Sequence, residues 1–191
     1  MHNVLVIDDV IDEESQDLLE NSIFSPQTQW TFGRTVFCDK HLEVTDAQRK
    51  SLMSFTKSLY RNDDNFSDKD LGLYTRPLLG RFNNLLTARI QLQLPIITEL
   101  NKKYGVPHVD GVRPFPFKVA VYYVNEVDGP TVLFKQTTNT STPEEIKAGN
   151  VDVACEIEPK KGRLIIFDGN IYHAVGKPKT DLRCIINYNF I

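Results

Sequence analysis

Apolar residues follow two different periods along this chain. The stretch NVLVIDDV (3–10) predicts a short opening strand. IDEESQDLLENSIF (11–24) then places Ile11, Leu18, Leu19 and Ile23 at helical spacing, with acidic residues in the first turn, where they complement the helix dipole. TDAQRKSLMSFTKSLYR (45–61) predicts a second helix, with Thr45 or Asp46 as N-cap and Leu52, Phe55 and Leu59 as its buried stripe. RPLLGRFNNLLT (76–87) predicts a third, starting after Pro77. From residue 89 the period changes to two. RIQLQL (89–94) alternates polar and apolar, and we expect Gln91 and Gln93 on a solvated strand face, the alternative being that they face the cavity and touch substrate. FKVAVYYV (117–124) is rich in β-branched and aromatic residues, and Asp-Gly marks the turn that follows it. TVLF (131–134), EIEP (156–159), RLIIF (163–167) and RCIINYNFI (183–191) predict four more strands.

Helices first and short strands afterwards is an α+β order. We expect one domain over 1–191. Residues 1–85 would give mainly helical support, and 86–191 an antiparallel jelly roll or sandwich backed by those N-terminal helices. Two polar stretches interrupt the pattern, 62–70 and the Thr-rich 135–152. Both are expected at the rim of the barrel mouth; the second reads as a rim loop or lid, or equally as a tolerated surface insertion.

Composition narrows the partners. A net charge of -3 and a pI near 5.8 give no electrostatic case for nucleic acid or an acidic membrane surface. The apolar run near the N-terminus stops at Asp8 and Asp9 and has no basic flank, so a secretory signal is not expected. Cys38, Cys155 and Cys184 lack metal-ligand or CxxC spacing and are read as free thiols of a reducing, cytoplasmic setting.

The candidate chemistry rests on few residues. Of four histidines, His2 and His41 fall in terminal or polar surroundings and are read as solvated. His108 and Asp110 sit two apart, just before a strand, and so would project side by side. His173 follows a strand and a Gly-containing turn. Two imidazoles and one carboxylate are the ligands of the facial triad for non-haem Fe(II), although the same donors also take Zn(II), Mn(II) or Ni(II). Taken alone, HVDG reads as a polar strand edge and an ordinary turn rather than as a ligand pair. Arg183 adds to the set. It lies on the closing strand and shares a face with Ile185 and Asn187. If buried it needs an anion, and a planar carboxylate matches a guanidinium best. No protein carboxylate is obviously placed for it, which points to a small dicarboxylate. Of Tyr122 and Tyr123, one must face out of the barrel, and we expect it to be Tyr122.

Together HVDG (108–111), VAVYYVN (119–125), DGPTVLF (128–134), EPKKGRLIIFDGNIYHAV (158–175) and LRCIINYNF (182–190) resemble the catalytic core of the 2-oxoglutarate- and Fe(II)-dependent dioxygenases. The resemblance is to the prolyl 4-hydroxylase-like branch and its compact bacterial and phage relatives, over residues 86–191. It implies a double-stranded β-helix, a cupin-like barrel. It implies His108, Asp110 and His173 as iron ligands, and Arg183 as the partner of the distal carboxylate of 2-oxoglutarate. Tyr123 matches a position that helps hold that carboxylate, and Asn187 one that lines the same pocket. The implied reaction hydroxylates an unactivated C–H bond using O₂ and 2-oxoglutarate, releasing succinate and CO₂, with ascorbate as an accessory reductant. The substrate would be prolyl, another peptide or amino-acid group, or a small molecule. The chain departs from the pattern at Gly129–Pro130, where two glycines are common. It also departs over 94–107, which lacks the tyrosine-containing pattern of animal collagen prolyl hydroxylases. Two alternatives stay open: a cupin-like metal enzyme that does not use 2-oxoglutarate, and a non-catalytic binding barrel.

Overall fold

The computed structural model describes residues 2–24, 55–60, 85–93 and 104–191. In chain order the elements are β1 (Leu5–Ile7), α1 (Glu13–Ile23), β2 (Phe55–Tyr60), β3 (Leu85–Gln93), β4 (Lys118–Tyr123), β5 (Thr131–Thr137), α2 (Pro143–Lys147), β6 (Val153–Ile157), β7 (Leu164–Asp168), β8 (Ile171–Val175) and β9 (Arg183–Phe190). They form a large sheet in the order β1-β7-β4-β9-β3-β2 and a small one in the order β6-β5-β8. Every pairing is antiparallel.

The period of two decides which residues make the core. On β4, Val119, Val121 and Tyr123 face the small sheet, where they meet Ile165 and Phe167 of β7, Ile185 of β9, Leu133 of β5 and Ile171 of β8. Ala120, Tyr122 and Val124 face the other way, and α1 covers them. The helix and the turn before it bury Val10, Ile11, Leu19 and Ile23 against Leu164, Cys184, Ile186 and Tyr188. β4 is therefore buried on both faces, which is why its sequence is almost continuously apolar. Each such side chain contributes about 1.5–3 kcal/mol of transfer free energy. Tyr122 faces out of the barrel and is fully buried under α1.

Charge pairs fix α1 and β1 to the turn before β7. Asp8 accepts from Nε and Nη2 of Arg163 and from Lys160, which hold its carboxyl at about 2, below the ordinary 3.8. Lys161 pairs with Asp17 and Glu20 of the helix. Gly162, at φ 79°, lies directly under Gln16, and a Cβ there would overlap that side chain.

Three expectations change. Phe55–Tyr60 is a strand on the edge of β3, not the end of a helix. Phe55 and Leu59 are four apart, a spacing that satisfies a helix face and a strand face alike, and pairing with β3 decides between them. Likewise Leu85–Thr87 begins β3 rather than ending a helix, because β3 pairs with β9 along most of its length. The remainder of those two helices, and the 62–70 stretch, lie outside the described residues. Third, the segment 135–152 is not one long irregular loop. β5 continues into it, and α2 follows with a capping box between Thr142 and Glu145. Ile146 is buried among Val132, Phe134, Tyr172 and Ala174, on the outer face of the small sheet.

Candidate metal centre

His173 follows β7 and a Gly-containing turn, as the sequence predicts, and lies in the middle of the next strand, β8. A corner at Gly169–Asn170 carries the chain from β7 in the large sheet to β8 in the small one. Gly169 is needed there, because a Cβ would overlap the Phe117 ring. On β8, Tyr172 and Ala174 turn outward, which leaves His173 facing the space between the sheets. Phe167 packs edge-on against its ring, with centroids 5.1 Å apart.

His108 reaches the same place without belonging to a strand. Its N–H donates to the His173 carbonyl at 2.9 Å, and the His173 N–H donates back at 2.8 Å. Two residues that exchange both backbone bonds stand directly opposite, so their side chains project to the same side. Their rings are 4.6 Å apart. Asp110, two residues further on, brings Oδ1 to 4.0 Å from His108 Nε2 and 3.7 Å from His173 Nε2. The three ligand atoms all lie within 4.8 Å of one another. Among the described residues this is the one group of three His, Cys, Asp or Glu side chains that could hold a metal ion.

The imidazoles are set in the tautomer that a metal needs. His108 Nδ1 is 2.9 Å from the Val106 carbonyl, and His173 Nδ1 is 3.1 Å from that of Ile171. A carbonyl only accepts, so Nδ1 carries the hydrogen and Nε2 presents its lone pair to the shared space. Asp110 and His173 are nearly enclosed, while the His108 side chain is 33% exposed. The open side of the centre is the His108 side.

Arg183 is fully buried at the start of β9. Its Nη1 donates to Gln93 Oε1 at 2.9 Å and its Nη2 to Thr131 Oγ1 at 2.8 Å. Both partners are neutral, and Nε has no partner among the described residues. Burial pulls the guanidinium below its ordinary range. A buried cation without a counter-charge is costly, and among the described residues Arg183 shows no carboxylate partner. Tyr123 lies under it, with the ring centroid 5.3 Å from the guanidinium carbon. Its hydroxyl donates to Thr131 Oγ1 at 2.7 Å, and burial raises the phenol and keeps it protonated.

Asn187 is on the same face of β9. Its amide donates to Asp110 Oδ2 at 3.0 Å, so it touches the candidate metal-ligand group itself. Three further residues belong to the site. Asn189 also donates to Asp110 Oδ2, at 3.2 Å. It was open to the same count by two that links Arg183 to Asn187. Gln93 is not solvated but buried, because β3 pairs it directly with Arg183. Thr131 has no marking in the sequence and is found only through the fold.

No protein-family profile matches this chain, and no curated protein matches it in sequence. Solved structures do match in shape. A prolyl-4-hydroxylase from Pseudomonas putida superposes with a TM-score of 0.58 at 13% identity, over 100% of this chain and 92% of that one. SnoN, a non-haem alpha-ketoglutarate-dependent epimerase of nogalamycin biosynthesis, gives 0.60 at 12% identity, over 100% and 78%. A Trichoplax adhaerens prolyl hydroxylase, in complex with a hypoxia inducible factor peptide fragment, gives 0.56 at 13% identity, over 100% and 84%. SnoN is also known in complex with Fe3+ and alpha-ketoglutarate. The chain thus has the jelly-roll fold of the non-haem 2-oxoglutarate-dependent oxygenases.

Proposed function

We propose that this protein is an Fe(II)- and 2-oxoglutarate-dependent oxygenase that hydroxylates an unactivated C–H bond. The observation that carries this is a pairing. Three metal-ligand atoms converge beside His108 on the open side, and the same barrel buries an arginine that has only neutral partners among the described residues. His108, Asp110 and His173 would hold the iron, a donor set that suits Fe(II) and leaves positions free. When bound there, iron would supply the redox chemistry that couples reduction of O₂ to oxidative decarboxylation of 2-oxoglutarate, with succinate, CO₂ and a hydroxylated substrate as products.

The chain's own residues do the rest. Arg183 binds the distal carboxylate of 2-oxoglutarate, with the Thr131 and Tyr123 hydroxyls beside it. The Val106 and Ile171 carbonyls keep the Nδ1 hydrogens in place, so both Nε2 atoms stay available. Phe167 shields His173 from water. Val106, Val112 and Phe115 are exposed on the segment that carries His108 and Asp110. That apolar edge supports a prolyl or other peptide or amino-acid substrate.

The test is anaerobic visible absorption of the metal-free protein titrated with Fe(II) and then 2-oxoglutarate, in wild type and Arg183→Ala. A band that needs both additions and weakens in the variant is the expected result. Iron binding with no such band would favour the metal enzyme that does not use 2-oxoglutarate. No iron binding would reduce HVDG to a turn.

A further inference from the structure

Asp110 is held differently from the two histidines. They are fixed by paired backbone bonds to each other, whereas Asp110 lies past that bridge, on a bend outside any strand. Its carboxylate is tied across to β9. Oδ2 accepts from Nδ2 of Asn187 at 3.0 Å and from Nδ2 of Asn189 at 3.2 Å. Asn189 Nδ2 also donates to Asn187 Oδ1 at 2.9 Å, so each amide fixes the other. Both asparagines are buried. The other oxygen, Oδ1, is the one that faces both histidine Nε2 atoms.

We propose that Asn187 and Asn189 form an amide clamp that makes Asp110 a one-oxygen metal ligand. This rests on the metal-site reading above. A free carboxylate can grip a metal through one oxygen or both. The two-oxygen grip would occupy a further coordination position and would compete with a chelating co-substrate. With two amide hydrogens on Oδ2, that grip requires breaking buried hydrogen bonds to a charged group, which are among the stronger ones. The two asparagine donors are neutral, so they bring no counter-charge of their own to the carboxylate. An arginine or lysine in their place would pair with that charge. The spacing follows from β9, where residues 187 and 189 share a face and reach one oxygen together. Both are positioning residues, acting through Asp110.

The experiment titrates Co(II) alone into metal-free wild type and Asn187→Leu/Asn189→Leu, following its visible d–d absorption and the thermal midpoint of the metal-free protein. The clamp predicts a 10–100-fold loss of Co(II) affinity, as for other partners of metal ligands. It also predicts a changed band shape, because the coordination number changes. Asn187→Ala and Asn189→Ala, made singly, serve the same purpose if the double variant does not fold. Variants that bind Co(II) with the wild-type affinity and spectrum overturn the clamp, even if they are less stable. Wild type that takes up no Co(II) overturns the metal-site reading, and the clamp with it.

Discussion

Arg183 is a buried charge whose observed partners, Gln93 and Thr131, are both neutral. Removing one member of a buried ion pair costs about 3–5 kcal/mol, because the other is stranded. Arg183→Met strands no charge among its observed partners, and Thr131 keeps its bond from Tyr123. The variant does leave Gln93 Oε1 without its Arg183 donor, so we expect the metal-free variant to lose about 1–3 kcal/mol in urea denaturation, less than the ion-pair figure. On the proposed function, 2-oxoglutarate should stabilise the metal-loaded wild type and should not stabilise the metal-loaded variant. Gln93→Glu makes the converse change, placing a carboxylate where an amide oxygen now sits 2.9 Å from Arg183. The metal-free protein should melt higher and bind 2-oxoglutarate at least about tenfold more weakly, since the anion site is filled from within. Wild-type 2-oxoglutarate affinity in that variant, measured by calorimetry, would move the anion site away from Arg183.

At the scale of elements, the proposed metal centre depends on how β8 leaves β7. Gly169→Ala must displace either the Phe117 ring or the corner itself. Overpacking of this kind costs about 1–3 kcal/mol. Because His173 sits four residues beyond Gly169 on β8, Co(II) affinity should fall along with the denaturation midpoint. A variant that loses stability yet binds Co(II) normally would show that β8 is positioned by its pairing with β5 instead. The docking of α1 and β1 has a pH signature. Asp8 titrates at about 2 in the folded protein and near 3.8 when unconstrained, with Arg163 and then Lys160 as the main causes. A depressed carboxylate contributes its stability above the unconstrained value and loses it as the pH falls through the folded one. Between pH 4 and pH 2, Asp8→Asn should therefore lose less stability than wild type. Denaturant midpoints at the two pH values check this.

For the whole molecule, the site joins parts that the chain keeps far apart. Asp110 is 77 positions from Asn187, and Arg183 is 90 from Gln93. Whatever binds this site binds only the folded state, so it stabilises the entire domain by linkage. A ligand at 100 times its Kd contributes about 2.7 kcal/mol. For a chain of 191 residues this raises the thermal midpoint by about 5–10 °C. Mn(II) alone should give part of the shift and Mn(II) with 2-oxoglutarate more, and a chelator should reverse both. 2-Oxoglutarate without metal should give little.

What the sequence determined by itself was the part of the structure that depends on local period and on rare residue types. β4, β5, β7 and β9 were legible because alternation, or an apolar run rich in β-branched and aromatic residues, fits a strand buried on one face or both. His108, Asp110, His173 and Arg183 stood out as a candidate set because the chain has few histidines and because an arginine on an apolar strand requires an anion. Phe55–Tyr60 was not legible, since its apolar pair at i and i+4 fits either period and only the free edge of β3 chose between them. Nor were Gln93 and Thr131, whose roles come from strand register and from the approach of the small sheet. Asn187 illustrates the difference most clearly. Its place on the inner face of β9 could be counted from the sequence, but its partner is a carboxylate on a bend that crosses the barrel. Which side chain meets which across two sheets depends on non-local pairing, and only the tertiary structure decides it.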